Sequence, residues 1–463
     1  MASVHDQESV KDLLLDKKVS FRYTGMRWLA LFFSCMLLMG SYFSYDNPQA
    51  LQGQLEDPNG RYKLTGVQFN LLYSVYSFPN IILPLFGGIL VDKIGARIAI
   101  LLFSCLLILG QCVFAFGVSE ASFTWMIIGR VIFGLGGESL SVAQSAIVAK
   151  WFRGRDLAFA LGFNISVARL GSSINSVGSP AMAAKGDLWI PCFVGVGFCV
   201  VSTICGLFLG WMDKESDRRE GITKSHDIDE TDEIHWGDIK KFRLLFWLLL
   251  ANCLLIYGSF FGFTNNGNDI LVKIFGLTAD RAGMLLTIIY ITSAVFTPIM
   301  GKISDTFGKR TATMLLATAL LVCAHSIFAF SPVSTSANYF ALVPLMLTGI
   351  FYASYAAVFW PCVPLVVEPK IVGTGFGIIS AFQNGMLAVN PLIMGAIQDA
   401  TRPDKGGFFY SEIYLGLLAA VGFVNSLLIF IEDKRSGNVL WSPQQKADAK
   451  ASKVRSVYSS FRN

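Results

Sequence analysis

The chain alternates long apolar runs with short polar connections along most of its 463 residues. Twelve runs reach or approach the ~20 residues that an α-helix needs to cross the ~30 Å hydrocarbon core of a bilayer. They lie at 28–45, 67–91, 98–118, 123–149, 157–183, 189–211, 244–264, 282–300, 311–330, 338–366, 371–398 and 410–432. The pattern predicts an all-α integral membrane protein of twelve transmembrane helices. The first run is long and carries no small-x-small cleavage site, so it reads as a retained helix and not as a secretory signal.

Composition agrees. Apolar residues make up 53% of the chain, and charged residues 15%, where ~25% is usual for soluble domains. The net charge of +5 is too small and too scattered for a nucleic-acid binder. All nine cysteines fall inside apolar runs, which suggests neither a disulfide framework nor a metal knuckle. There is no GxxxxGK[ST] loop and no nucleophile–base or metal spacing. ATP-driven transport, enzymatic chemistry and a cofactor are therefore not expected.

Lysine and arginine set the orientation. The segments on the side of the termini hold 28 of them and the opposite loops hold 7, a bias that predicts both termini in the cytosol. The charged stretch 212–243 divides the spans six and six. The resulting organisation is a tail (1–27), a six-helix bundle (28–211), a linker (212–243), a second bundle (244–432) and a tail (433–463). The linker is read as solvated chain, with a regulatory segment as the alternative.

The halves share a loop. Gly88, Asp92, Gly95 and Arg97 after the second span recur as Gly301, Asp305, Gly308 and Arg310 after the eighth, all at a constant offset of 213 residues. Four matches at one offset mark an internal repeat. Its glycines are expected to permit close helix approach. Asp92 and Asp305 can accept from N–H groups at a helix start, and Arg97 and Arg310 can reach acidic partners at the rim.

Ionisable residues inside a span cost ~2.5–3.5 kcal/mol each even on the mildest scale. Three stand out: Arg130 and Glu138 on the fourth run and Arg169 on the fifth. By helical rise Glu138 lies ~17 Å and Arg169 ~18 Å from the cytosolic ends of their helices, at one depth near the midplane. Two readings are open. One is a structural salt bridge; the other is a site for a zwitterion, with Glu138 taking an ammonium and Arg169 a carboxylate, each stabilising the other when the site is empty. A buried pair barely offsets its own desolvation, which favours the second. Tyr73, Tyr76, Trp360, Gln383 and Asn384 can add stacking faces and neutral hydrogen bonds, or else serve packing. His325, on a peripheral helix, reads as a satisfied imidazole before a proton relay.

The GxxxDxxGxR loop and its echo resemble the signature of the major facilitator superfamily, and Arg130 with Gly134 and Gly136 is similar to that superfamily's second motif. The glycine-rich antiporter motif expected on the fifth helix is not clearly present. Within the superfamily, GSYFSYDNPQAL (40–51), YSFPN (76–80), GRVIFGLGGESLSVAQ (129–144), WFRGRD (151–156), ARLGSS (168–173), FWPCVPLVVEP (359–369) and FQNG (382–385) resemble the lysosomal dipeptide transporter family. That resemblance implies a 6+6 fold with alternating access and a lysosomal membrane address, with plasma membrane or another endomembrane as alternatives. It implies that Glu138 and Arg169 bind dipeptides, that the repeated loop and Arg130 take part in gating, and that a glycosylated lysosomal membrane protein escorts the carrier. The sequon Asn164-Ile-Ser166 lies inside a span and cannot be glycosylated there, so such a shield is needed. Leu13-Leu14 and the Tyr458–Phe461 tetrapeptide are candidate sorting signals. The first run contains no ionisable side chain, which favours facilitated diffusion over proton symport. Rival functions are a facilitator of amino acids or another organic zwitterion and, from a different class, a non-transporting receptor or scaffold.

Overall fold

A computed structural model of the chain describes residues 21–83, 91, 94–152, 157–220, 242–367, 372–401 and 408–441. Regular structure among them is helical throughout. Twelve helices succeed one another: α1 (Met26–Tyr45), α2 (Gly66–Ser77), α3 (Ala96–Ser119), α4 (Phe123–Trp151), α5 (Leu157–Ala183), α6 (Trp189–Glu220), α7 (Leu244–Phe275), α8 (Ala279–Phe307), α9 (Arg310–Phe330), α10 (Leu342–Val366), α11 (Val372–Thr401) and α12 (Phe408–Arg435). Ten of them are long and apolar enough by themselves to cross a bilayer.

Of the other two, α2 is followed by a stretch lying largely outside the described residues (84–90, 92 and 93), and α5 is set apart by its composition. In α2 regular geometry ends at Ser77, because Pro79 cannot donate to the ladder, and a 3-10 turn follows at Pro79–Ile81. Asn80 Nδ2 takes up the carbonyls of Tyr76 and Gly134 at 3.0 and 3.1 Å. Helix α5 is long but polar: Asn164, Arg169, Ser172, Asn175, Ser176 and Ser179 are all buried on it. It faces other helices more than lipid.

Two boundaries differ from the hydropathy reading. Helix α6 continues to Glu220, into the stretch read as linker, because Asp213, Asp217 and Glu220 find cationic partners there. Helix α7 continues to Phe275. Its extra turns carry Asn265, Asn266, Asn268 and Asp269, all buried, and Asn266 bonds to residues of the other half. Apolarity stops at residue 264, but the membrane span does not.

Helix α1 also ends irregularly. After Tyr45 the path goes on through single-turn helices at Asn47–Ala50 and Gln52–Leu55. Pro48 has no N–H for the Ser44 carbonyl, the partner it would have had four residues back. Arg130 supplies one instead, donating to the carbonyls of Ser44 (3.3 Å), Tyr45 (3.1 Å) and Leu72 (3.1 Å). Asn47 bonds to Asn175 at 2.7 Å and accepts from Gln111 at 2.8 Å, so the break is polar yet satisfied.

Helices α1–α6 and α7–α12 form two halves with matching neighbours: α1 packs on α6 as α7 does on α12, and α3 on α4 as α9 does on α10. Each half has its own apolar cores, and no core cluster includes residues of both. The halves meet along two seams, α2 with α11 and α5 with α8, which the six-helix repeat exchanges.

Contact concentrates on the face opposite the termini, here the distal face. The Asp399 carboxylate at the end of α11 accepts from the first N–H groups of α2, Gly66 at 2.6 Å and Val67 at 3.0 Å, satisfying donors that a helix start leaves open. Beside it Asn70 donates to Gln398 (3.2 Å), Asn266 to Asn70 (3.1 Å) and Gln52 to Asn266 (3.0 Å). Backbones touch at both seams. A methyl on Gly283 of α8 would overlap the Ser176 carbonyl of α5, and one on Gly395 would lie 2.6 Å from the Gly66 oxygen. Among the described residues, the contacts between the halves thus hold the distal side closed.

Gly395→Val should wedge the α2–α11 seam. Overpacking of this kind costs about 1–3 kcal/mol, so hydrogen exchange at residues 66–70 should quicken roughly five- to a hundredfold, while exchange in α3 and α4 stays unchanged.

Candidate functional site

Glu138 lies in the middle of α4 and is exposed, although neighbouring Gly137 and Ser139 are buried. It lies within electrostatic reach of Tyr42 and Tyr45 of α1 and of Tyr76 of α2. Among the described residues its carboxylate makes no ion pair and no hydrogen bond. The Tyr76 hydroxyl lies against Gly137, where an added methyl would strike it, and this places Tyr76 beside Glu138.

Arg169 of α5 is only 6% exposed. Its Cζ sits 4.0 Å from the ring centroid of Tyr352 on α10, across the gap between the halves. Its Nε has no acceptor. Glu138 and Arg169 are not joined by an ion pair, so the empty site does not hold them together as the sequence reading supposed. Tyr42, Tyr257 and Tyr290 also lie within electrostatic reach of the guanidinium.

A third charge completes this group. Asp46, buried at the end of α1, neighbours Ser172 and lies within electrostatic reach of Arg169 and Arg130. Hydropathy does not mark Asp46, because it lies one residue past the apolar run that ends at Tyr45. The run 28–45 itself holds no ionisable side chain, but Asp46 follows at its end, where α1 breaks. The charged residues of the site all come from the N-terminal half.

The C-terminal half supplies an aromatic wall. Tyr352 packs 4.5 Å from Phe260, and Tyr257 accepts from Trp360 Nε1 at 3.0 Å. Trp360 is half-buried and stacks 6.1 Å from Phe376. Asn384 spends its amide on the Ser380 carbonyl of its own helix (3.0 Å), and Gln383 is half-buried. Tyr73 is fully buried; its oxygen accepts from Gln49 N–H at 2.8 Å and its ring centroid lies 5.3 Å from Arg130. It belongs with Arg130 to the scaffold of the α1 break. His325 is buried between helices, its Nε2 2.9 Å from Ser259 and its Nδ1 2.8 Å from Glu412. That pair lies within the C-terminal half.

At the terminal face, Gly88 and Asp92 lie outside the described residues, as do the Asp305 side chain, Leu13-Leu14 and Tyr458–Phe461. Gly95 and Gly308 have φ of +82° and +70°, which non-glycine residues adopt only under strain. Nothing lies within 4 Å of a methyl built on Gly95 or Gly301. At Gly95 and Gly308 the repeated glycines thus serve turn geometry, and close helix approach is not the reason for Gly95 or Gly301. Arg97 Nε donates to Asp213 at 2.7 Å, and Arg97 also pairs with Asp217. Lys150 reaches the same two carboxylates at 3.2 and 2.8 Å, Trp151 Nε1 reaches Asp213 at 3.0 Å, and Arg22 from the amino-terminal segment joins both. Burial works against these charges. Nevertheless, hydrogen bonds from Lys150 and Arg22 hold the Asp217 carboxyl below its ordinary range, and Asp217 and Asp213 hold Arg22 above its own. Arg310, the counterpart of Arg97, is fully buried at the start of α9. The chain after α12 folds back over that end, with Lys309 N–H donating to the Trp441 carbonyl at 2.8 Å.

Two halves of six helices with separate cores, joined by polar seams and carrying charged side chains between them, define a membrane transporter of the alternating-access class. The family model of the Major Facilitator Superfamily matches residues 27–269 and 264–462, and the chain belongs to that superfamily. It is 32% identical over 438 residues to the lysosomal dipeptide transporter MFSD1 of Homo sapiens, covering 92% of this chain and 90% of that one. The Mus musculus counterpart is 33% identical over 445 residues, covering 92% and 91%. Among solved structures, the nucleoside transporter NupG superposes with a TM-score of 0.66 at 12% identity, over 87% of this chain and 99% of that one. A bacterial homolog of the human lysosomal transporter Spinster, inward-facing and occupied, gives 0.62 at 13% identity, over 91% and 99%. These two likenesses concern the fold alone.

Asp213→Asn removes the carboxylate shared by Arg22, Arg97, Lys150 and Trp151. Hydrogen bonds to charged groups contribute about 1.5–3 kcal/mol, so exchange at residues 21–24 should quicken roughly tenfold or more. In the unsubstituted protein the same docking should hold at neutral pH. The depressed Asp217 carboxylate contributes stability above its unfolded value and loses it as pH falls through the folded one, so the protection of residues 21–24 relative to the unfolded chain should fall only under strongly acidic conditions.

Proposed function

We propose that the chain is a lysosomal dipeptide facilitator, with Glu138 receiving the substrate ammonium and Arg169 its carboxylate. The observation that carries this reading is the unpaired state of the two charges at the midplane. A structural salt bridge would join them, whereas here Glu138 is exposed without an ion pair and Arg169 keeps an unsatisfied donor. Charge left unpaired inside a membrane protein is costly, and a zwitterion neutralises both ends at once. The relatives named as lysosomal dipeptide transporters support the same assignment. Trp360 and Tyr76 line the site, with Gln383 and Asn384 further along α11. The excess of lysine and arginine assigns the terminal face to the cytosol, which puts the closed distal seams on the lumenal side.

Gating follows from the two faces. On the lumenal side the seams of α2–α11 and α5–α8 must part. On the cytosolic side the repeated loop (Gly88, Asp92, Gly95 and Arg97; Gly301, Asp305, Gly308 and Arg310) must come together, with Arg130 keeping the α1 break in shape throughout. A glycosylated lysosomal membrane protein is the proposed accessory partner. The one sequon of the chain is spent inside the fold, where Asn164 is buried and donates to Ser34 at 2.7 Å.

Glu138→Gln and Arg169→Ala should each weaken dipeptide binding at least about thirtyfold, since removing one partner of a buried charge contact costs about 2–5 kcal/mol. Thermal-shift titration with dipeptides, and with free amino acids as competitors, reads this directly. Normal binding by either variant refutes the zwitterion site, and tighter binding of free amino acids redirects the substrate class.

Coupling is proposed to be uniport, with the carried species alone setting the driving force. Proteoliposomes containing a pH dye, given a neutral dipeptide at zero potential, should equilibrate without a dye signal. Stoichiometric proton uptake would show that Glu138, Asp46 or His325 carries a proton and that uniport is wrong.

A further inference from the structure

The two charges of the site are not equally available. Glu138 stands open while Arg169 is 6% exposed and covered by the ring of Tyr352. That ring is not free to swing. Tyr352 is 8% exposed and packs 4.5 Å from Phe260 and 6.4 Å from Tyr257 on α7, so it moves with the C-terminal half. Arg169 belongs to α5 in the N-terminal half. The Arg169–Tyr352 contact therefore spans the halves, away from the polar seams of the distal face. At 4.0 Å it is closer than the 5.3–5.8 Å at which Arg130 meets the five rings around it.

We infer that Tyr352 is a latch on the empty carrier, and that a substrate carboxylate opens it by taking Arg169. This rests on the assignment of Arg169 to the carboxylate. Attraction between guanidinium and ring depends on the uncompensated positive charge facing the π-cloud. A carboxylate bound along the in-plane N–H fork neutralises that charge and removes most of the attraction. Because Glu138 is already accessible, the substrate ammonium arrives first and the carboxylate second, displacing the ring. The loaded carrier then lacks a cross-half contact that the empty carrier retains, and it rocks more easily. Return of the empty carrier becomes the slow step of the cycle, and exchange of substrate for substrate outruns net flux.

The experiment uses the full chain in proteoliposomes with labelled alanyl-alanine, comparing efflux into dipeptide-free buffer with efflux into buffer containing unlabelled dipeptide. The unsubstituted protein should show exchange several-fold faster than net efflux. Tyr352→Leu should bring the ratio close to one by speeding net efflux, without raising the half-saturating concentration. Tyr352→Phe, which keeps the ring, should behave like the unsubstituted protein. A purely structural role would slow both fluxes together. An independent arm needs no substrate: in the empty Tyr352→Leu protein, exchange at residues 66–70 should quicken severalfold, up to the roughly thirtyfold that a desolvated cation–π contact contributes. If Tyr352→Leu does not extract in folded form, Tyr352→Met, flexible and close in volume, takes its place with the same expected outcomes. Exchange equal to net efflux in the unsubstituted protein, a ratio that the loss of the ring leaves unmoved, or unchanged exchange at the seam overturns the latch. If Glu138→Gln and Arg169→Ala retain transport, the zwitterion site itself fails. If they abolish it while Tyr352→Leu changes nothing, only the latch fails.

Discussion

Polar groups inside a bilayer must find partners within the protein, and in this chain that requirement also shapes how the two six-helix halves are joined. Each half buries its aliphatic and aromatic side chains in cores of its own. What joins the halves is amides, carboxylates and backbone contact at the distal face: Asp399 at the start of α2, the Asn70–Asn266–Gln398 cluster and the glycines Gly283 and Gly395. Carboxamide hydrogen bonds can be exchanged for water at little net cost, whereas a shared apolar core could not be opened cheaply. Separate cores with a polar seam are thus a condition for halves that rock against one another.

The midplane follows the same logic with charges. Arg130 is consumed by structure: Pro48 breaks α1, and the guanidinium takes the freed carbonyls, with Tyr45, Tyr73 and Tyr76 around its faces. Glu138 and Arg169 are not consumed in this way. Division of labour between the halves accompanies this difference, with charges on the N-terminal side and aromatic rings on the other. A ligand bound between them touches both, as alternating access requires if occupancy is to bear on the equilibrium between conformations.

At the terminal face, the cluster of Asp213 and Asp217 with Arg22, Arg97 and Lys150 draws α6 beyond the hydrocarbon and docks the amino-terminal segment. The repeated loop is thereby tied to its own half. The backbone around Lys309, Arg310 and Trp441 makes a comparable strap in the other half. Rims that are rigid within each half let each move as one body.

Hydropathy alone determined the number and order of the helices, because the free energy of placing residues in lipid is additive along the sequence. The offset of 213 residues revealed the internal repeat, and the intramembrane charges marked Glu138, Arg130 and Arg169. Additive signals fail where a helix faces protein instead of lipid. Helix α7 looked finished at residue 264 although Asn265, Asn266 and Asp269 continue it, and α1 looked free of charge although Asp46 lies just past its last apolar residue. Depth along a helix could be counted, but direction around it could not. Only the tertiary structure decided that Glu138 is exposed and without an ion pair among the described residues, that Arg130 is bound to backbone, and that Arg169 meets Tyr352, 183 positions away in sequence. Those outcomes depend on how two independently packed halves are set against each other, and no local property of the chain encodes that arrangement.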